Sequence, residues 1–256
     1  MKLISHEMPL AMMENHHDDI NDYLYVLLHK FLEDVPYFNF VGNYKGTILL
    51  DNSCYELGDA LANDLIYETA VQLNADIVIA PDVLGDKDKT LERTLDFWNT
   101  YPDIRDTMMA VVQGSSLEEL LECYDIFIDT GFKKIAFPFC FNWVERDPEL
   151  QANERIKILS YFARNSRICD DVYHHLLGTW QAVEFTRYRD YDWIKSIDTS
   201  NPIMAALDGN RYINQYGLPN KPRSTFDDTF NLKLELIDMD LVMYNVNKFR
   251  GIVNGD

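Results

Sequence analysis

Asp51, Asp82, Gln113 and Asp198 are the residues from which a chemistry can be built. Each closes a short apolar run and opens a stretch of small polar residues, glycine or proline. The runs are Thr47 to Asp51, Asp76 to Asp82, Thr107 to Gln113, and Ile194 to Asp198 followed by Thr199-Ser200-Asn201-Pro202. Runs of this kind read as strands that end in turns. In an α/β barrel the strand ends form the rim on which reacting groups stand. Three carboxyls and one amide on one rim can supply a nucleophile, a proton-transfer carboxylate and two groups that grip a nitrogenous base. Taken singly, each has a plainer reading as a loop-opening aspartate, a helix cap or a satisfied loop amide.

The elements that must position these residues alternate between strand and helix. Lys2 to His6 reads as a first strand, with His6 and Glu7 at its end. Ile20, Tyr23, Leu24, Leu27, Leu28, Phe31 and Leu32 recur at helical spacing and predict one helix from Asp18 to Asp34, with His16-His17 in a loop before it. Further helices are predicted over Leu57–Leu73, Thr90–Trp98, from Ser115-Ser116 to Gly131, over Pro148–Arg164, from Gly178 through Tyr188, and over Phe230–Phe249. Lys133 to Phe137 and Val172 to Leu177 complete seven strands, and Ile203 to Leu207 is the candidate eighth. No glycine-rich phosphate loop follows any strand, which favours a closed barrel over an open doubly wound sheet. The expectation is an α/β protein, a single-domain (β/α)8 TIM-type barrel over residues 1–256.

Composition narrows the function classes. The hydrophobic fraction of 47% excludes disorder, and no apolar run reaches the roughly 20 residues of a membrane span. With no signal-peptide pattern at the N-terminus, a soluble cytoplasmic protein is expected. Cys54, Cys123, Cys140 and Cys169 are widely separated and read as free thiols, not as a zinc or redox motif. The formal net charge of -19 opposes unassisted binding of a polyanion. Arg187, Arg189 and Lys195, with Lys221-Pro222-Arg223, are the modest basic clusters available for phosphate.

In order and approximate spacing, Ile48-Leu49-Leu50-Asp51-Asn52-Ser53, Ala80-Pro81-Asp82, Val111-Val112-Gln113-Gly114 and Ile197-Asp198 resemble the tRNA-guanine transglycosylase family, over roughly residues 47 to 212. The resemblance implies that Asp198 is the nucleophile, Asp51 the proton-transfer group, and Asp82 with Gln113-Gly114 the grip on a guanine-type base. Asn52-Ser53-Cys54 stands where the family has two glycines, and Phe137-Pro138-Phe139 where it has a glycine pair. No cysteine follows Cys169, so the zinc cluster of the tRNA enzymes has no counterpart. In this the chain looks more like the phage and bacterial relatives that insert 7-deazaguanines into DNA, with no metal or other cofactor. Tyr55, Phe137, Phe139 and Trp180 are candidates to sandwich the base. One of His174 and His175 faces the barrel, and His174 is taken as the pocket residue.

The implied partners are DNA, with tRNA as the alternative, and a 7-deazaguanine base, with a partner subunit or homodimer as a further possibility. Two rival readings use the same residues. One is a metal-dependent hydrolase with His6, Glu7, Asp51, Asp82 and His174 as ligands. The other is a non-catalytic subunit of a transglycosylase, against which both retained carboxyls, Asp51 and Asp198, argue.

Overall fold

The computed structural model describes the chain except residues 142–147, 180, 214–216, 219–221 and 256. Eight parallel strands, β1 Leu3–Ser5, β2 Leu24–Leu27, β3 Ile48–Asp51, β4 Ile77–Ile79, β5 Met108–Val111, β6 Lys134–Phe137, β7 Tyr173–Leu176 and β8 Ile194–Asp198, form one sheet. Each strand pairs with its successor from β2 to β8, and β8 pairs with β1 through Ser5 and Asp198. The result is a nearly closed TIM-type (β/α)8 barrel flanked by helices, as expected for right-handed βαβ connections.

The seam between β1 and β2 is bridged largely by side chains. The Asp22 N–H donates to the Ile4 carbonyl, and the Asp22 carboxylate accepts from the Ile4 N–H at 2.8 Å. Asn21 exchanges two hydrogen bonds with the backbone of His6, and the Ser5 hydroxyl donates to the Tyr23 carbonyl.

The pleat sorts side chains by period two. Tyr25 and Leu27, Leu49, Ile77 and Ile79, Met109 and Val111, and Ala136 fill the interior. Continuing that phase past the last apolar residue brings Asp51 and Gln113 to the inner face at the strand ends, and on β8 Asp198 shares the inner face with Ser196, both bonded to His175. The opposite phase, with Ile135, Phe137 and Leu176, packs against the helices.

Two strand assignments change. Residues 24–27 are β2 and not the middle of a helix, which instead occupies Leu10–Ile20 and resumes over Leu28–Glu33. All four β2 residues are buried, so both faces are apolar and the run matches a helical period by coincidence. Ile203–Leu207 is helical, part of Asn201–Leu207, whose proline falls in the first turn where it replaces an N–H that no carbonyl needs. His16 and His17 lie within the Leu10–Ile20 helix, with His17 buried against Tyr44. The last long helix is Met239–Asn254, capped by the Asp238 side chain on the Leu241 N–H. Helix Leu117–Thr130 follows the Ser115-Ser116 signal, with the Ser116 hydroxyl accepting from the Glu119 N–H and Gly131 at φ +104° ending it. Among the described residues, no helix is long and apolar enough to cross a membrane.

Candidate active site

A cavity of about 630 Å³ opens at the C-terminal ends of the strands, and Asp51, Asp82, Gln113 and Asp198 all line it. At its base Asp51 accepts from the Tyr25 hydroxyl at 2.9 Å and from the Ser53 N–H at 2.7 Å. Asp82 takes one amide bond on each oxygen, from Asn52 Nδ2 at 2.9 Å and from Gln113 Nε2 at 2.7 Å. Gln113 Oε1 accepts from the Gly85 N–H, which fixes the direction of the amide. Asp82 and Gln113 thus set a carboxylate acceptor beside an amide donor on the cavity wall. Asn52 also donates to the Ala80 carbonyl, so it ties the β3 and β4 ends together where the resembled family has glycine.

Asp198 is held from the β7 side. His175 Nε2 lies 2.9 Å from its Oδ1, and the Gly178 N–H sits 3.2 Å from both carboxylate oxygens. Burial pushes His175 down to about 3, so the ring is neutral. Nε2 and the Asp198 carboxyl therefore share one hydrogen bond, and Nδ1 pairs with the Ser196 hydroxyl at 2.7 Å. Gly178 adopts φ +59°, and a Cβ there would stand 2.9 Å from Phe139 Cδ1. Gly178→Ala is expected to destabilise the fold by about 1–2 kcal/mol and to displace the donor at Asp198. Thermal unfolding together with the adduct assay below reads both effects.

The loop carrying Gly178 is fastened by a wholly buried ion pair. Arg155, from helix Pro148–Arg164, donates to the Leu177 and Gly178 carbonyls and pairs through Nε and Nη2 with Glu184. The Thr179 hydroxyl also donates to Glu184. This lock joins three elements behind Asp198.

The cavity is poor in cations. Arg223 is the one lysine or arginine among its described lining residues, against the carboxyls of Glu7, Asp51, Glu56, Asp82, Asp198 and Asp227. Burial pushes Asp51 up to about 7, opposed by the Ser53 N–H and the Tyr25 hydroxyl and reinforced by Asp198 and Asp82. Burial likewise pushes Asp198 up to about 7, with the Gly178 N–H and then Arg155 pulling it down. Asp82 is raised by burial and restrained by its two amide donors. Carboxyls raised on folding bind protons in the folded state, so their stabilisation is complete below the ordinary carboxylate range and is lost as pH rises through 7. Urea midpoints are therefore expected to fall from about pH 5.5 to about pH 8.5 by at least about 3 kcal/mol of stability, and Asp51→Asn should flatten that slope.

Several expected residues stand elsewhere. Phe137 is not a base-sandwiching residue: its ring is on the outer face of β6, packed against Tyr124, Phe162 and Trp193. His174 is not in the pocket either. It stacks on Phe137 and bonds the Tyr124 hydroxyl at 2.9 Å, because strand alternation turns it outward and turns His175 in. Gly114 lies under the Leu117–Thr130 helix, where a Cβ would come within 2.9 Å of Glu119 Cβ; it packs and does not line the cavity. Tyr55 and Phe139 do line the cavity and meet edge to face, while Trp180 lies outside the described residues.

Lys195 is the second residue of β8, exposed and pointing away from Asp198's face, and donates to the Asp192 carbonyl; Arg189 donates to the Ile252 carbonyl. That cluster is remote from the cavity mouth. Arg223 borders the cavity, and Lys221 lies outside the described residues. Among the described residues no three His, Cys, Asp or Glu side chains converge as a metal site, and His6 and His174 do not meet the cavity carboxyls.

Sequence reasoning missed Tyr25, Asn52, Arg155 and Glu184. Tyr25 was hidden by the helical reading of its strand, and the other three carry no local signal. No protein-family model matches the chain, and no curated protein matches it.

Proposed function

We propose that the protein exchanges a base at guanine in DNA, inserting a 7-deazaguanine derivative through a covalent glycosyl ester on Asp198. The observation that carries this reading is the pairing, in one cavity, of two buried carboxyls, Asp51 and Asp198, with an Asp82–Gln113 edge that sets a carboxylate acceptor beside an amide donor. A guanine-type base presents donors at N1 and N2 and an acceptor at O6, and this edge complements them.

In the first step an Asp198 oxygen bonds to C1′ as the C1′–N9 bond breaks, and the departing guanine takes a proton from Asp51. In the second, Asp51 accepts the proton of the incoming base, whose nitrogen attacks C1′ and releases Asp198. Two displacements retain the configuration at C1′. A carboxyl such as Asp51, raised towards neutrality, suits both directions of proton transfer. Asp198 has the neutral His175 and the Gly178 N–H to stabilise it as a free carboxylate. In duplex DNA the target nucleotide must leave the stack to reach these groups, and Tyr55 and Phe139 stand at the cavity to receive its faces.

With Arg223 as the described lining cation, and a net charge of -19, binding of the polymer is expected to be weak and to depend on low salt or a basic partner. The test is incubation of the protein with guanine-containing DNA, and separately tRNA, plus a labelled 7-deazaguanine base. Label in DNA supports the reading, label in tRNA alone moves the polymer, and label in neither, with no adduct, overturns it.

A further inference from the structure

Glu7 follows β1 and lines the same cavity, yet neither transfer step above uses it. Its Oε2 is buried and meets no hydrogen-bond partner, whereas Asp51, Asp82 and Asp198 are each held by two donors or more. A buried polar atom left unmatched in the free protein marks a place where a ligand atom belongs.

Position says which part of the ligand. Asp82 and Gln113 grip the base beyond β4 and β5. Asp198, the attacking group, ends β8, which pairs with β1 so that Ser5 sits beside Asp198. In an eight-stranded barrel β1 lies opposite β5. With the base against β4 and β5 and C1′ at Asp198, the atoms on the β1 side are those of the sugar and its phosphates. We propose that Glu7 is a further substrate-binding residue, whose carboxyl O–H donates to an oxygen on the sugar–phosphate side of the reacting nucleotide. This inference rests on the base-exchange reading.

The surroundings explain why the carboxyl can donate. The titratable groups that bear on Glu7 are Asp198, Asp51 and Glu56, with Tyr23, Tyr25, Tyr37 and Tyr55. No cation is among them. Burial first, then Asp198 and Asp51, push Glu7 up to about 8, so it is neutral at physiological pH. An ionised carboxylate there would repel a phosphodiester; an acid O–H binds it. The same chemistry serves a sugar oxygen.

The experiment is fluorescence anisotropy of a labelled single-stranded DNA with one guanine, at low salt, from about pH 6.5 to about pH 9. Wild type is expected to lose at least about tenfold in affinity as Glu7 ionises through about 8, on top of the loss caused by Asp51 and Asp198 as they ionise through about 7. Glu7→Gln, whose amide donates at every pH, should abolish the Glu7 part and keep the part due to Asp51 and Asp198, and Glu7→Ala should bind weakly throughout while unfolding as cooperatively as wild type. A second DNA with neutral methylphosphonates flanking the guanine separates the sources. If the Glu7 part of its pH dependence vanishes, the acceptor is the phosphate; if it persists, the acceptor is the sugar. An identical alkaline fall in wild type and Glu7→Gln overturns the assignment while leaving base exchange standing. Wild type that fails to bind guanine DNA at any pH and inserts no labelled base overturns both.

Discussion

Asp198→Ala is expected to abolish the denaturation-resistant adduct and to lower base exchange by at least about a thousandfold, the scale on which loss of a covalent nucleophile is felt. Asp198 is 3% exposed, is set by two donors, and ends a strand whose inner face also carries Ser196, the partner of His175 on β7. Its removal takes a charge-repelling carboxyl out of the cavity, so the variant should be no less stable than wild type. Activity falling without stability separates a chemical role from a structural one. Denaturing electrophoresis of protein mixed with labelled DNA reads the adduct, and incorporation of labelled base reads the turnover. Asp51→Asn makes the informative contrast. It leaves the nucleophile in place but cannot protonate the departing base, so adduct and turnover should both fall, by about a hundredfold or more. A full-strength adduct from Asp198→Ala would show that the ester forms on another group.

The second large effect is structural. Arg155→Met is expected to destabilise the protein by about 3–5 kcal/mol, because the Glu184 carboxyl would be left buried with its guanidinium partner gone. Arg155 is 0% exposed and Glu184 1%, so water cannot replace the lost partner. The Leu177 and Gly178 carbonyls lose donors in the same step, freeing the loop whose N–H touches Asp198. Urea denaturation of Arg155→Met beside the double variant Arg155→Met, Glu184→Leu checks the cause. If the buried charge dominates, the double variant recovers most of the loss. If loop fastening dominates, it does not. Adduct formation by the double variant would then report how much of Asp198's placement depends on the lock.

The parts of this protein legible in its sequence are those set by neighbours along the chain. Asp51 and Gln113 each stand at an even offset from inward-facing apolar residues, so the pleat carries them to the cavity as the turn begins, whereas Asp198 follows the inward Ser196 on a strand whose two isoleucines both pack outward. Asp82 is brought in by the turn after Pro81 and is seized by two amides. Where the phase is not declared by alternation, the reading fails. His174 and His175 are one residue apart, and a one-residue choice exchanges the barrel interior for the helix layer. Phe137 fails for the same reason. Residues 24–27 fail because a strand buried on both faces has no polar side to give away its period. Arg155 and Glu184 meet across 29 residues, through a helix and a loop whose approach no local pattern encodes.

The seam between β1 and β2 has a mechanical meaning. Every other neighbouring pair in the barrel shares a backbone ladder, but here Asp22, Asn21 and Ser5 do most of the joining. A barrel so built behaves as a sheet rolled and clasped, with a preferred line along which it can part. Glu7 stands just past the end of β1, which like β2 has a ladder on one side only. Small opening there would change the width of the cavity mouth while the ladder from β2 round to β8, which carries Asp51, Asp82, Gln113 and Asp198, keeps its register.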